Sequence, residues 1–421
     1  DQNLVLLDDA PVYNSSHLFG FFSVFNPDAV KDVKLYKGGI PAQYGGRASS
    51  ILDVKMKEGN SKKLEVNGGI GVIFSRFSIE APIIKDKASF IFAARRSYID
   101  ILAKPFLTGN NANASFNFYD LTAKVNYNIN AKNTVFLSGY FGRDVFGTSF
   151  GFNWGNGTIS SRWNHVFSEK LFMNATAFYS NYDYLLDSDI ENKRPNDSFK
   201  WSSNIENLSI KPDFTYYVNP TNTISFGGQI LSYEFKPGKA IATSTGEKRE
   251  FGQANKKGTE SSAYISQELK ISPVFSVQYG MRYSYYDYKS LNGEYYDRVK
   301  VPISTENASG YILKINKTDP TTTVASYGNW EPRLSLNLNV GQNASLKTSY
   351  NRLAQYVHLM SNTAASTPLD VWTSSTNNIK PQLADQVAMG FFKNLGPDGN
   401  NYETSVEVYY KAMQNQIDYA D

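Results

Sequence analysis

Histidine and cysteine, the residue types that most often bind metals or act as nucleophiles, are scarce in this sequence. It contains no cysteine and three histidines, His17, His165 and His358. The histidines are far apart, lack HExxH spacing and have no acidic pair nearby. The absence of cysteine also excludes disulfide frameworks and thiolate sites. The sequence therefore predicts no metal site.

Serine and aspartate are common, but their arrangement does not support catalysis. No GxSxG element is present, and no histidine stands in the order of a hydrolase triad. The pairs Gly38-Gly39 and Gly45-Gly46 could suggest a loop that holds phosphate. Neither a GxGxxG nor a Walker A pattern surrounds them, and no helix start follows. They predict tight turns, and no enzyme activity or cofactor is expected.

Four arginines, Arg47, Arg76, Arg95 and Arg96, could bind an anionic substrate. The alternative, which we favour, is that they pair with acidic groups across an internal interface. Arg95 and Arg96 are adjacent, so in a strand they must point to opposite faces.

The composition narrows the class of protein. The chain has 421 residues, a formal net charge of +3 and 19% charged residues, which gives no electrostatic reason to expect nucleic acid as a partner. Aromatic residues are abundant, with 29 Tyr, 27 Phe and 5 Trp. Mean hydropathy is −0.40, and no segment approaches the ~18 apolar residues of a membrane helix. A membrane β-barrel stays compatible, because its aromatic residues collect in girdles at both interfaces.

Period-two alternation runs through most of the chain after Leu64. One face of the clearest stretch consists of Phe275, Val277, Tyr279, Met281, Tyr283 and Tyr285. Similar stretches are 121–129, 334–340 and 402–411. Cations stay off the apolar faces, where lipid contact at mid-bilayer would cost roughly 2–4 kcal/mol per residue. Because half-buried soluble sheets alternate too, this pattern alone does not decide between the two classes.

The lengths of the connections decide in favour of an outer-membrane barrel, in which short turns alternate with long outer loops. Short turns are expected at residues 84–87, 130–132, 167–170, 219–222, 271–273, 341–343 and 396–399. Long links are expected near residues 98–117, 143–156, 185–200, 237–258, 290–329 and 353–379. About 15 strands are expected between Leu64 and Met413, including a tight first hairpin near residues 72–74. An odd number cannot close a single-chain bacterial barrel, so the sequence is expected to be a fragment at both ends.

The segment at 28–39, followed by Tyr44-Gly45-Gly46-Arg47 and the strand-like residues 51–54, resembles the C-terminal half of the plug of TonB-dependent receptors. Residues 6–14 and 17–22 are similar to the version found in the Bacteroidetes group. Downstream, residues 329–335 and 380–386 resemble barrel segments of the same receptors. The resemblance covers nearly the whole chain.

This resemblance implies an all-β fold: part of a 22-stranded antiparallel outer-membrane β-barrel around an α+β plug. Residues 1–60 would be the C-terminal part of the plug domain, and residues 61–421 a partial transmembrane barrel. The implied function is TonB-dependent active transport of a scarce ligand (siderophore, vitamin, glycan or peptide) across the bacterial outer membrane. Implied partners are outer-membrane lipids and TonB with ExbB and ExbD, reached through an N-terminal box outside this sequence. Residues 40–44 depart from the SusC-like branch of glycan importers, which leaves open whether a surface lipoprotein is a partner.

The resemblance also suggests site residues. The candidates for ligand contact are Tyr13, Asn14, His17 and Phe19 in a plug loop, and Gln355, His358 and Trp372 in a long outer loop. Packing within the plug or loop is the alternative for each. The structural motif of the plug would be formed by Gly38, Gly39, Tyr44, Gly45, Gly46 and Arg47.

Two other functions compete with import. The same fold could serve as a signal-transducing receptor or as a structural barrel subunit of a larger cell-surface complex. Barrel enzymes of the protease or phospholipase kind are smaller and have no plug, so the plug-like residues 37–54 argue against that class.

Overall fold

The computed structural model describes residues 2–417 except 107, 110–113, 148–150, 190–197, 245–246, 303–310, 342, 361–369 and 396–401. The N-terminal strands are β1 (Leu4–Leu7), β2 (Ala10–Pro11), β3 (Ser16–His17), β4 (Phe22–Ser23), β5 (Val30–Tyr36) and β6 (Ile51–Met56). Four of them form a small mixed sheet in the order β2-β1-β6-β5, in which β1 and β6 are parallel. The expected turn after β1 is present, with Asp8 and Asp9 at positive φ.

Long antiparallel strands make up most of the rest of the chain. They are β7 (Glu65–Ile70), β8 (Phe74–Ile84), β9 (Ala88–Ser97), β10 (Ser115–Asn130), β11 (Asn133–Gly147), β12 (Gly151–Val166), β13 (Leu171–Asp189), β14 (Ser198–Asn219), β15 (Asn222–Ser244), β16 (Glu247–Gly252), β17 (Lys256–Lys270), β18 (Phe275–Ser290), β19 (Glu294–Lys300), β20 (Tyr311–Lys317), β21 (Thr323–Asn339), β22 (Ala344–Gln355), β23 (Val357–Met360), β24 (Val371–Ser374), β25 (Gln382–Leu395) and β26 (Tyr402–Gln414). One short helix, α1 (Ile99–Ala103), lies between β9 and β10. Among the described residues, no helix is long and apolar enough to cross a membrane.

Fifteen of these strands form one continuous path from β7 to β26, and β16 pairs with β15 outside that path. The expected number of strands is therefore confirmed. Each strand on the path is antiparallel to its neighbours, while β19-β20 and β23-β24 form separate hairpins. Within the described residues the two ends of the path, β7 and β26, do not pair with each other, so the sheet is not a closed barrel.

The large sheet buries its polar face and exposes its apolar face. On β18, Tyr283 and Tyr285 are 36% and 40% exposed, whereas Arg282 and Ser284 between them are 1% and 0% exposed. The same alternation holds on β10, where Leu121 is exposed and Thr122 is buried. This is the reverse of a soluble half-buried sheet. The small sheet and the segments around it cover the polar face.

The long connections all lie at one edge of the large sheet, as expected, but short connections occur at both edges. At one edge, here called the turn edge, the strands are joined by links of two to six residues, beginning with 85–87 and 131–132. The expected turn at 396–399 lies outside the described residues, as does residue 342 of the turn at 341–343. The opposite edge, the loop edge, carries α1 and the hairpins β19-β20 and β23-β24. The first hairpin is confirmed, with the Gly71 amide donating to the carbonyl of Phe74 at 3.0 Å.

Two expected long loops were wrong. In the first, at 237–258, residues 237–244, 247–252 and 256–258 belong to β15, β16 and β17. The second is the segment at 143–156. Residues 143–147 and 151–156 belong to β11 and β12, which leaves only 148–150 as the link. The five glycines between 142 and 157 weaken the apolar alternation on which the expectation depended. The two strands nevertheless pair in continuous register from Asn133 opposite His165 to Gly147 opposite Gly151.

Candidate functional site

Polar side chains of the large sheet hold the backbone of the N-terminal segment. Ser160 Oγ donates to the carbonyl of Asp8 at 2.8 Å, and Ser180 Oγ donates to that of Pro11 at 2.6 Å. Asn156 accepts from the amide of Asn14 at 3.2 Å and donates to its carbonyl at 2.7 Å. These contacts explain why serine and asparagine occupy the buried face of long strands: each provides a hydrogen bond that the segment needs.

A group of six buried or half-buried charges, here called the anchor cluster, joins the small sheet to the large one. It consists of Asp8, Asp9, Asp53, Lys55, Lys124 and Arg162. Lys124 Nζ lies 2.9 Å from Asp8 Oδ2, and Arg162 Nη2 lies 2.6 Å from Asp9 Oδ2. Lys55 bridges Asp9 at 2.9 Å and Asp53 at 3.2 Å. Burial alone would raise the pKa of the Asp9 carboxyl, but Lys55 and Arg162 outweigh it and hold that pKa well below its usual range.

The glycine motif packs tightly against the large sheet. A Cβ on Gly39, which has φ +61°, would lie 2.9 Å from Ser335 Oγ. A Cβ on Gly45 would lie 2.5 Å from Arg282 Nε. Gly38 meets Ser349 in the same way, and Gly46 has φ +77°. The hydroxyl of Tyr44 donates to Asp53 at 2.9 Å, and burial together with that carboxylate raises the pKa of Tyr44.

A second charged group, here called the arginine cluster, surrounds this motif. It consists of Arg47, Arg282, Arg333, Glu260 and Glu331, all 6% exposed or less. Arg333 Nη2 lies 2.9 Å from Glu331 Oε2, and Arg282 lies 3.8 Å from both glutamates. Arg333 also donates to the carbonyl of Pro41 at 2.8 Å, which fixes the loop between the two glycine pairs of the motif.

Several of the candidate ligand contacts line one cavity of about 290 Å³, here called the aromatic cavity. Tyr13, Asn14 and Phe19 enter from the N-terminal segment, and Trp372 enters from β24. Arg47 lies at the same cavity. The hairpin β23-β24 reaches it because β24 contacts β14 and β15 on the polar face.

Three aromatic or cationic groups meet at the wall of this cavity. The rings of Tyr13 and Trp372 lie 4.9 Å apart in an edge-to-face arrangement, and Arg47 Cζ lies 5.3 Å from the centre of the Trp372 ring. The hydroxyl of Tyr13 accepts a hydrogen bond from Asn207 Nδ2. Burial raises the pKa of Tyr13 to about 12, so this hydroxyl is neutral near pH 7.

His17 faces the large sheet and does not line the cavity. Its Nδ1 lies 2.7 Å from Asp144 Oδ2 and its Nε2 lies 3.4 Å from Asp120 Oδ2. Burial alone would lower the pKa of His17, but the hydrogen bonds to the two carboxylates raise it above its ordinary value. Asp144 also accepts from the Leu18 amide at 2.7 Å. Leu18 and Phe19 both have positive φ, so this clamp holds a strained turn that brings the Phe19 ring to 5.0 Å from Trp154.

Gln355 and His358 are buried below the loop edge and also do not line the cavity. Gln355 accepts from the amide of Ala48 at 3.1 Å and donates to the carbonyl of Val357 at 2.8 Å. His358 Nε2 lies 2.9 Å from Ser375 Oγ. Burial, with a smaller effect of Arg47, lowers the pKa of His358 to about 3, so this histidine is neutral near pH 7.

The residues at the cavity that could not be singled out from the sequence include Tyr182, Leu359 and Asp370. Tyr182 is one of many aromatic residues in alternating strands, and nothing in its neighbourhood distinguishes it. Leu359 and Asp370 belong to the long outer link at 353–379, where an aliphatic or acidic side chain has no spacing or neighbour that distinguishes it. Within the described part of the chain, no three His, Asp or Glu side chains form a group that could hold a metal ion.

Comparison with known proteins identifies the fold. The family model described as "TonB dependent receptor-like, beta-barrel" matches residues 89–421. The chain belongs to the TonB-dependent receptor family. The expected relationship is therefore confirmed at the level of the family. Comparison with curated proteins finds no similar sequence.

Solved structures of this family share the fold. The copper transporter OprC superposes with a TM-score of 0.69 at 10% identity, over 98% of this chain and 64% of its own. The FrpB iron transporter of Neisseria meningitidis gives 0.66 at 14% identity, over 99% and 65%. The hemophore receptor HasR of Serratia marcescens, in complex with its hemophore HasA and heme, gives 0.61 at 12% identity, over 98% and 65%. The chain thus spans less than two thirds of these receptors.

Proposed function

We propose that this receptor chain takes part in TonB-dependent active import of a scarce ligand across the bacterial outer membrane. The observation that carries the proposal is the inverted sheet. Its apolar face is exposed, and its polar face is covered by a separate small sheet. Residues 1–60 act as the C-terminal part of a plug, and residues 61–421 form part of a 22-stranded barrel of the Bacteroidetes type.

The dimensions of the exposed face support an outer-membrane location. The apolar side of β18 runs from Phe275 to Tyr285. At about 3.3 Å per residue this is about 33 Å along the strand. With the usual tilt of about 40° it covers about 25 Å of bilayer, which is the height of the apolar band in such barrels.

The aromatic cavity is the proposed site of ligand capture. Tyr13, Asn14, Phe19 and Trp372 bind the ligand, whereas His17, Gln355 and His358 hold the surrounding segments in place. The similar structures are named for copper transport, iron transport and a heme-carrying hemophore. Copper, iron and heme therefore join siderophores, vitamins, glycans and peptides as candidates for this chain.

Energy for import comes from the inner-membrane proton gradient through TonB, with ExbB and ExbD, and displaces the plug-like segment from the polar face. The many polar contacts of that segment suit such a movement, because water can replace each hydrogen bond when the segment shifts. A surface lipoprotein that covers the loop edge is a further candidate partner.

Deletion of tonB tests this function. Cells that express the receptor are given a labelled panel of iron chelates, copper, cobalamin, oligosaccharides and peptides. The compound taken up should still bind to the cell surface without TonB but should no longer enter. Entry that continues at the wild-type rate would contradict active coupling, whereas surface binding without entry in cells that have TonB would favour a receptor or structural role.

A further inference from the structure

The arginine cluster carries more positive than negative charge. Among the described residues, the ion pairs of Arg282 and Arg333 are with Glu260 and Glu331, Arg47 has no ion pair within 4.0 Å, and Asp370 is a further buried carboxylate at the cavity. His358 adds no charge near pH 7, because its pKa is about 3. A buried cation without a counter-ion is costly, so an unbalanced cluster is expected to recruit an anion.

The surplus charge lies on Arg47. Glu331 is 2.9 Å from Arg333, and Glu260 is 3.8 Å from Arg282, but no carboxylate oxygen of the described residues lies within 4.0 Å of the Arg47 nitrogens. Glu260 stands beside Gly46, the neighbour of Arg47, so it lowers the local potential without forming a pair. The Arg47 side chain is 4% exposed.

The hydrogen bonds of Arg47 are also incomplete. Its Nη1 donates to the carbonyl of Gly46 at 2.9 Å, but its Nε, like those of Arg282 and Arg333, is buried without a partner among the described residues. Arginine presents its donors in a planar fork that fits carboxylate and phosphate oxygens. A buried guanidinium at the wall of a cavity, with a donor left over, has the properties of an anion site.

The surroundings restrict what can carry the anionic group. Trp372 and Tyr13 form an aromatic wall next to Arg47, and Phe19 and Leu359 add apolar surface to the same cavity. Asp370 also lies at the cavity. An anionic group must therefore sit at the Arg47 side, with an adjoining ring against the aromatic wall.

We propose that the aromatic cavity binds an aromatic or other flat ring that carries an anionic oxygen group, with Arg47 binding that group and Trp372 and Tyr13 packing on the ring. This inference rests on the proposed ligand site. It names the chemical class of the ligand, an anionic ring compound, and excludes neutral sugars as the group held at Arg47.

Benzoate and benzamide test the charge requirement, since the two have the same shape and differ in charge. Their binding to the purified full chain in detergent is followed by calorimetry at pH 7. Benzoate should bind at least about tenfold more tightly than benzamide. Arg47→Gln should bring the benzoate constant to the benzamide level and leave the benzamide constant unchanged. Equal constants for the two probes in the wild type, or a preference that survives Arg47→Gln, would overturn the proposal.

Two further variants keep the test independent of folding. Arg76→Gln removes an exposed arginine paired with Asp28 at 3.0 Å, away from the cavity, and should leave both constants unchanged. Trp372→Ala should weaken both probes alike and preserve their ratio. If Trp372→Ala changes neither constant, the probes bind elsewhere and the assignment is wrong. The tonB deletion is a separate measurement, so import and the anion site can fail independently.

Discussion

The two charge clusters that join the N-terminal segment to the large sheet differ in their balance. In the anchor cluster three carboxylates face three cations, with contacts as short as 2.6 Å. In the arginine cluster two carboxylates face three cations, and the surplus borders the aromatic cavity. Both clusters contain buried carboxylates and buried cations, so burial alone does not distinguish a cluster that attaches the segment from one that binds a ligand. The balance of charges does distinguish them. A cluster with equal numbers of carboxylates and cations can only hold the segment, whereas a cluster with a surplus cation can also accept an anionic ligand.

Among the variants that test this comparison, replacement of Asp8 is expected to have the largest effect on stability. Asp8→Ala leaves Lys124 buried without its nearest carboxylate and removes the acceptor of the Met56 amide. Loss of one partner from a buried pair costs roughly 3–5 kcal/mol. Hydrogen exchange of β1 and β6 should report a decrease of that size in the free energy of local opening.

The exposed pair of Lys31 and Glu58, at 3.2 Å, provides the control. Glu58→Ala should change the opening free energy by less than about 1 kcal/mol. If the two variants gave equal effects, the anchor cluster would not be what holds the small sheet.

Gly45→Ala is expected to have a smaller effect, at the arginine cluster. The added methyl group would meet Arg282 Nε at 2.5 Å, and overpacking of this kind costs about 1–3 kcal/mol. Gly68→Ala is the matched control, because its nearest atom would be at 3.7 Å. Thermal unfolding of both variants measures the cost of the tighter packing. Benzoate binding is a second measurement, which reports whether the charge of the arginine cluster is still available. An unchanged Gly45→Ala protein would show that Arg282 can move away freely.

The smallest expected effect is a pH dependence of the local stability of the segment that contains His17. The carboxylates of Asp120 and Asp144 raise its pKa above the ordinary 6.5. The stabilisation is therefore fully present below about pH 6.5 and is lost as pH rises through the raised pKa of the folded state. Exchange protection of residues 16–23 should decrease over that range, and His17→Asn should remove the dependence.

His165 is the control for this titration, since its partner at 2.7 Å is the uncharged amide of Asn133. His165→Asn should leave the pH dependence of residues 16–23 intact. A dependence that survives in His17→Asn would mean that another group is responsible.

Most of the fold could be predicted from the sequence. One face of a barrel wall contacts lipid and the other contacts the polar interior, so apolar and polar residues alternate along each strand. The alternation in 275–285 and the separation of short from long links were sufficient for the strand number and the class. The extension of β11 and β12 beyond Arg143 could not be predicted, since glycine and mixed residues replace the apolar alternation there.

The site was only partly predictable. Tyr13, Asn14, Phe19 and Trp372 were candidates by resemblance, and they meet at one cavity. His17 was a candidate for the same reason, but its partners Asp120 and Asp144 lie more than 100 residues away in the sequence. The charge surplus at Arg47 depends on which carboxylates reach which arginines, and that is a property of three-dimensional packing.

A disulfide between the N-terminal segment and the large sheet tests the central claim most directly. The chain has no cysteine, and a Cβ on Gly39 would lie 3.8 Å from Ser335 Cβ, which suits a disulfide. In Gly39→Cys/Ser335→Cys cells, oxidation should abolish uptake of the compound that the labelled panel identifies. Reduction should restore uptake, and each single variant should transport in both states. Uptake by the oxidised double variant at the rate of its reduced form would contradict the account, because the segment would then not need to leave the polar face.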